Sequence, residues 1–145
     1  MKRILFGAAA LVVLATPATF DSALAGGKTK FDFWYGMSGD LSQRVQDVCK
    51  RFNDSQQDYE IVCTSQGNYA AAVQNTIAAY RAGQQPTVVQ VFDVGTLDLM
   101  LSDAYYPASK LMKDNGYDID WNNYLPGIRG YYATSKGEMY SFPFN

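Results

Sequence analysis

The apolar positions of the chain repeat with a strand-like period in some segments and a helical period in others. Residues 31–35 form a short aromatic run closed by Gly36, which predicts a first strand. Apolar side chains then recur at helical spacing and predict one buried helix face; they are Leu41, Val45, Val48 and Phe52. Asp40 and Gln43 have the spacing of a capping box, so we expect this helix to start there. We expect it to end at residues 53–55.

A second strand and a second helix follow in the same order. Residues 59–64 predict the strand, and Asn68 is predicted to cap a helix over residues 69–82. The inner face of that helix is predicted to carry Val73, Ile77 and Tyr80. Gly83 stands where a C-terminal cap is expected.

The remaining pattern predicts a third strand and several shorter elements. Residues 87–92 lack alternation and are rich in β-branched side chains, as in a strand that is covered on both faces. Four further elements are predicted: a short helix over residues 96–102, a helix from Pro107 to Gly116, a helix capped by Asp120, and a final strand over residues 139–143.

The order strand, helix, strand, helix, strand is typical of an α/β protein whose mainly parallel sheet is flanked by helices. In such sheets, ligands bind beyond the carboxyl ends of the strands. That rule selects the segments 34–39, 66–69 and 93–96, together with Asn145.

The start of the chain has the pattern of an export signal. Met1, Lys2 and Arg3 give a basic start, residues 4–15 are apolar and uncharged, and residues 23–25 form an A-x-A cleavage site. The apolar run is 12 residues long, and a membrane-spanning helix needs about 20. We therefore predict a cleavable signal peptide over residues 1–25 and a periplasmic location.

Charge and composition narrow the function classes. The chain has 12 basic and 14 acidic residues and no histidine. Scattered cations on a weakly acidic chain give no electrostatic footprint for nucleic acid. Without histidine, the commonest general base and transition-metal ligand are missing, so we predict neither an enzyme nor a metal nor a cofactor.

Two cysteines, Cys49 and Cys63, are predicted to lie on the first helix and the second strand. An even number of cysteines in an exported protein usually pairs. We expect a structural disulfide between them, and two buried thiols are the alternative.

Two residues at the predicted carboxyl edge carry the chemistry of a binding site. The ring of Tyr69 suits the apolar face of a small polyol, and its hydroxyl donates a hydrogen bond. Asp93 offers carboxylate oxygens that accept hydrogen bonds from neighbouring hydroxyls. The alternatives are a core or capping aromatic for Tyr69, and an N-cap of the helix at Thr96 for Asp93.

Several motifs, taken in order, carry a resemblance to a known family. They are residues 33–39 (FWYGMSG), 51–53 (RFN), 67–69 (GNY), 90–95 (QVFDVG) and 142–145 (FPFN). The chain resembles the periplasmic sn-glycerol-3-phosphate-binding proteins of ABC importers, within the extracellular solute-binding family that includes maltose-binding protein. The resemblance implies two α/β lobes that close on a ligand, of which residues 26–145 form the N-terminal one.

The resemblance also implies roles for single residues. The tyrosine of the Gly-Asn-Tyr motif, a ligand contact in the family, falls on Tyr69. The acidic contact falls on Asp93, where the family commonly has the longer glutamate. Tyr35 stands where histidine is familiar. The other implied contacts, a serine and the phosphate-binding arginine, belong to parts beyond this chain.

The expected function is substrate binding for an ABC importer of sn-glycerol-3-phosphate or glycerophosphodiesters, with delivery to a membrane permease. We expect a monomer that binds a small molecule and no nucleic acid. The alternative is a sugar- or oligosaccharide-binding protein of an ABC importer, and the remote alternative is a secreted phosphodiesterase.

Overall fold

A computed structural model describes residues 27–102 and 104–144 of the chain. The predicted signal peptide and Asn145 lie outside the described residues. The sheet contains strands β1 (Thr29–Tyr35), β2 (Tyr59–Ser65) and β3 (Val88–Val89). The helices are α1 (Gly39–Ser55), α2 (Tyr69–Arg81), α3 (Asp93–Met100), α4 (Ala108–Asp114) and α5 (Pro126–Tyr131), with a 3₁₀ turn at Trp121–Asn123. No helix within these described ranges is both long and apolar enough to cross a bilayer.

The three strands form one parallel sheet in the order β2-β1-β3, which confirms the predicted α/β class. The register sets Tyr35 opposite Ser65 and Trp34 opposite Val89. Because all three strands run the same way, their carboxyl ends meet at one edge of the sheet.

Tyr35 lies at the centre of the core and is completely buried. Its hydroxyl lies 2.8 Å from Ser42 Oγ and accepts a hydrogen bond of 2.7 Å from Gln46 Nε2. Gln46 Nε2 also donates to the backbone oxygen of Cys63 at 2.9 Å. This small network joins β1, α1 and β2, and it supplies the partner that a buried phenol requires.

The predicted apolar stripe of α1 is wrong in all but one position. Val45 is buried, but Leu41, Val48 and Phe52 are 57%, 48% and 39% exposed. The residues that bond to the sheet form the neighbouring stripe, displaced by one residue or about 100° around the helix; they are Ser42, Gln46, Cys49 and Asn53.

Specific polar bonds decide this rotation of α1. The side chain of Asn53 bonds twice to the backbone of Ile61, donating to its oxygen at 2.9 Å and accepting from its nitrogen at 2.8 Å. The predicted start at a capping box is also corrected, because α1 begins at Gly39 and its N-cap is Ser38, whose side chain makes no cap bond. Asp40 lies in the first turn instead.

The third strand is much shorter than predicted. Only Val88 and Val89 pair with β1, and Val88 is 45% exposed, so this strand is not covered on both faces. In the described sheet β3 is an edge strand, and its pairing ends where the chain enters the connection to α3. The backbone N–H of Gln90 donates to the backbone oxygen of Trp34 at 2.8 Å. Beyond Gln90 the chain leaves the sheet and leads into α3.

The predicted final strand over residues 139–143 is absent from the described sheet. Met139 forms an isolated antiparallel bridge with Ala133 instead. The backbone oxygens of Met139 and Tyr140 accept hydrogen bonds from the N–H groups of Ser109 and Ala108 at the start of α4. These bonds give the backbone oxygens of the segment their partners outside the sheet. Pro143 has no N–H to donate to a neighbouring strand.

The shorter helices follow the prediction in part. The helix expected between Pro107 and Gly116 is α4, and Gly116 takes a positive φ of 78° just after it. Asp120 is an N-cap as predicted, its Oδ1 accepting from the N–H of Asn122 at 3.0 Å. It caps only a 3₁₀ turn, however, and Pro126 starts a separate helix.

A disulfide joins Cys49 of α1 to Cys63 of β2, with a Cα–Cα distance of 6.4 Å and a sequence separation of 14. We expect the double substitution Cys49→Ala and Cys63→Ala to lower the free energy of unfolding by about 3 kcal/mol, because the unfolded chain loses the constraint of a closed loop. Urea unfolding followed by circular dichroism measures this change.

Reductant provides the control for the disulfide. Added to the native protein, it should lower the urea midpoint in the same direction, and it should leave the double variant unaffected. Equal midpoints for the oxidised protein and the variant would contradict a stabilising role.

Tyr105 has a buried hydroxyl without a hydrogen-bond partner among the described residues. Burial raises the pKa of this phenol to about 12 from 10.0. As the pH rises above 10, the unfolded phenol loses its proton while the folded phenol keeps it. The free energy of unfolding therefore falls between pH 10 and 12, by on the order of 1 kcal/mol for a partly exposed group.

We expect Tyr105→Phe to remove this alkaline contribution and to leave neutral-pH stability unchanged or higher by about 1 kcal/mol, because no hydrogen bond is lost. Urea unfolding between pH 8 and 11 checks both effects. Tyr117→Phe is the matched control, since the Tyr117 side chain is 64% exposed, and its alkaline profile should resemble that of the native chain. A loss of neutral stability in Tyr105→Phe would show that the hydroxyl has a stabilising partner.

Candidate ligand-binding site

Three strands end and three helices begin at one side of the sheet. The connections are residues 36–38 between β1 and α1, residues 66–68 between β2 and α2, and residues 90–92 between β3 and α3. We call this side the carboxyl edge. The first residue of α2 is Tyr69 and the first residue of α3 is Asp93, so the structure brings both predicted site residues to the same edge.

Tyr69 is held at the start of α2 by its neighbours. Asn68 is the N-cap, as predicted, and its Oδ1 accepts from the N–H of Ala71 at 2.9 Å. The Tyr69 side chain is half-buried and packs against the core around Phe33 and Tyr35. Its ring also stacks on the ring of Phe92, with 5.8 Å between centroids and 8° between planes. Tyr69 is therefore a partly packed aromatic with an exposed remainder.

Asp93 is exposed and lies inside the first turn of α3. The predicted alternative, an N-cap of a helix at Thr96, is wrong because the N-cap position belongs to Phe92, which makes no side-chain cap bond. A carboxylate in the first turn is favoured by the partial positive charge of the helix N-terminus. Asp93 therefore lies at the carboxyl edge as the first residue of α3.

Gly36 lies in close contact with the start of α2. A Cβ built on Gly36 would lie 2.6 Å from Tyr69 Cα and 2.8 Å from the carbonyl carbon of Asn68. Such distances are shorter than van der Waals contact, so any other residue at 36 would displace Tyr69. Glycine is required here by the approach of two backbones.

Gln90 fixes the same connection from the third strand. Its side chain is buried, and its Oε1 accepts from the N–H of Gly36 at 3.0 Å. Sequence reasoning missed Gln90, Gly36 and Phe92 as site residues. A signal for Gln90 was present, since it is a polar residue in the apolar run 87–92, and a buried amide needs hydrogen-bond partners.

The carboxyl edge is open. Two concave regions lie elsewhere in the described chain, one between α1 and β2 beside the disulfide, and one between α4 and Trp121. Neither is lined by Tyr69 or Asp93. Topology singles out the carboxyl edge more strongly than surface shape does, because neither of the two other regions lies where the strand ends converge. Within the described ranges, no group of three or more metal-binding side chains is found.

Asn68→Ala tests how the site depends on helix capping. We expect the free energy of unfolding to fall by about 1 kcal/mol, because the N–H of Ala71 loses its side-chain acceptor at the start of α2. Urea unfolding measures the loss. Asn123→Ala is the control, since the exposed Asn123 side chain lies far from α2 in the sequence and should change stability by less than about 0.5 kcal/mol. Equal losses in the two variants would contradict the capping role.

No family profile matches the chain. It is 41% identical over 135 residues to the sn-glycerol-3-phosphate-binding periplasmic protein UgpB of Yersinia pestis bv. Antiqua (strain Antiqua), covering 92% of this chain and 30% of that protein. It is 40% identical over 119 residues to the protein of the same name from Brucella abortus (strain 2308), covering 81% of this chain and 28% of that protein.

A solved structure, CpMnBP1 with mannotriose bound, has the same fold with a TM-score of 0.65 and 18% sequence identity. The match covers 77% of this chain and 27% of that protein. It agrees with the α/β class found here, and all three comparisons match only a part of the longer protein. The predicted resemblance is confirmed: over 92% of its length, this chain is similar in sequence to the periplasmic binding proteins for sn-glycerol-3-phosphate, and it spans about 30% of theirs.

Proposed function

We propose that this chain is the N-terminal lobe of a periplasmic protein that binds sn-glycerol-3-phosphate or a glycerophosphodiester and delivers it to the membrane permease of an ABC importer. The supporting observation from sequence is the 41% identity to proteins named for this ligand. In this proposal residues 1–25 are a cleaved signal peptide, residues 26–145 belong to the lobe, and the protein is a monomer without enzymatic activity.

One structural observation supports the proposed site above others. The Tyr69 ring stacks on the ring of Phe92. Asp93 follows Phe92 directly in the chain, so Phe92 links the proposed aromatic contact to the proposed acidic contact. A glycerol backbone has a face of C–H bonds that suits an aromatic ring, and hydroxyls that suit a carboxylate acceptor. In this proposal the Tyr69 ring contacts the C–H face of the glycerol moiety, and the Asp93 carboxylate accepts hydrogen bonds from its hydroxyls.

The length of Asp93 sets the reach of the proposed acidic contact. Aspartate is one methylene shorter than the glutamate that the family resemblance leads one to expect. The hydroxyls of the ligand then lie closer to the start of α3. This placement is favourable for an anionic ligand, because the N-termini of α1, α2 and α3 all begin at the carboxyl edge and carry partial positive charge.

The phosphate of the proposed ligand needs a positively charged side chain as its partner. We assign that side chain to the remaining part of a longer protein. Closure of a second lobe over the carboxyl edge completes the contacts and excludes water. A single lobe makes only part of the contacts with the ligand, whereas the entropic cost of immobilising the ligand stays the same. The single lobe is therefore expected to bind weakly.

Isothermal titration calorimetry on the full-length product of the gene tests the proposal. We expect saturable binding of sn-glycerol-3-phosphate and none of maltose. Asp93→Asn should weaken binding by about 10- to 100-fold, because hydrogen bonds to a charged acceptor are lost. Tyr69→Leu should weaken it by about 5- to 50-fold through loss of the ring and hydroxyl.

Asp98→Asn is the matched control, since Asp98 is also exposed on α3 and lies one and a half turns further along. It should leave the affinity within about twofold of the native value. Residues 26–145 alone should show little heat of binding. Saturation by maltose without any response to sn-glycerol-3-phosphate would overturn the proposal, and release of alcohol from glycerophosphodiesters would identify an enzyme instead.

A further inference from the structure

Phe92 stacks against the Tyr69 ring in an offset arrangement. The two planes are nearly parallel at 8°, and the centroids are 5.8 Å apart. An exposed tyrosine at a helix start rotates among several side-chain rotamers, whereas a stacked ring is restricted to those that keep the contact. The stack therefore restricts the orientations that the Tyr69 ring can adopt.

Phe92 also lies in close contact with Gly95. A Cβ on Gly95 would lie 2.9 Å from Phe92 Cε1, 3.2 Å from Phe92 Cδ1 and 3.5 Å from Val73 Cγ2. The backbone N–H of Gly95 also donates to the oxygen of Phe92 at 3.1 Å. The Phe92 ring thus occupies the space that a side chain at position 95 would need.

The backbone of Tyr69 is restrained independently of its ring. Gly36 approaches it so closely that no side chain fits at that position. Gln90 holds the N–H of Gly36 through a buried hydrogen bond of 3.0 Å. The orientation of Tyr69 is consequently set by segments that follow β1 and β3, in addition to its own helix α2.

From these contacts we infer that Phe92 is a positioning residue of the proposed site, which holds the Tyr69 ring in one orientation for its contact with the glycerol moiety of the ligand. The inference rests on the proposed function for its ligand. The geometry of the two rings exists without ligand and is measurable by itself. Gly95 assists by leaving room for the Phe92 ring.

Nuclear magnetic resonance of the ligand-free chain tests the positioning directly. We expect nuclear Overhauser contacts between the Tyr69 and Phe92 ring protons and one dominant Tyr69 rotamer. Phe92→Leu and Gly95→Ala should both average the Tyr69 rotamers, because the first removes the stacked ring and the second displaces it. Gly130→Ala is the matched glycine control, since a Cβ at Gly130 would meet nothing within 4 Å. An unchanged Tyr69 rotamer in both variants would overturn the inference.

A double-mutant cycle in the full-length protein then tests the effect on binding of sn-glycerol-3-phosphate. Phe92→Leu should raise the dissociation constant by about three- to tenfold when Tyr69 is present. In the Tyr69→Leu background the same change should have less than about a twofold effect, because there is no ring left to position. Phe92→Tyr retains an aromatic ring and should restore the native affinity.

The outcomes separate the inference from the proposed function. Equal losses from Phe92→Leu in both backgrounds would show a purely structural role and overturn the inference. A native protein that fails to bind sn-glycerol-3-phosphate would overturn the proposed function, and the ring geometry in the ligand-free chain would still decide whether Phe92 positions Tyr69.

Discussion

Strand β1 determines the arrangement of the described sheet because it pairs on both of its sides. Its pairing with β2 extends over seven residues, from Thr29 to Tyr35, and its pairing with β3 over two. Both neighbours run parallel to it, so each connection must cross over the sheet and return the chain to the same end. This constraint collects three strand ends and three helix starts at the carboxyl edge. Tyr69 and Asp93 both lie at this edge although 24 positions separate them in the sequence.

Polar contacts determine how α1 lies on this sheet. The buried hydroxyl of Tyr35 bonds to Ser42 and Gln46, and Asn53 bonds twice to the backbone of Ile61. The disulfide between Cys49 and Cys63 lies on the same helix face. A buried polar group without a partner costs about 1–3 kcal/mol, so a helix rotation that satisfied only the apolar stripe would lose several such bonds. The observed rotation leaves Leu41 and Val48 largely exposed.

The candidate site combines two kinds of restraint. Close backbone approach at Gly36 and ring stacking on Phe92 fix Tyr69, whereas Asp93 is exposed at the start of its helix. In the proposed function, a second surface would exclude water and supply the positive charge that the phosphate of the ligand needs. The chain spans 30% of the length of the relatives named for this ligand.

The sequence alone determined the α/β class, the strand–helix order and the placement of Tyr69 and Asp93 at strand ends, because hydrophobic period and capping residues act locally. The Asn68 cap and the start of α4 were predicted for the same reason. Tertiary structure alone decided which face of α1 is buried, how short β3 is, and where residues 139–143 find their hydrogen bonds. It also decided the roles of Gly36, Gln90 and Phe92, since each depends on a contact between segments that are distant in the chain. Local patterns specify which secondary structure each segment prefers. Buried polar groups find their hydrogen-bond partners, and backbones their close contacts, only between segments, and these contacts select the final arrangement.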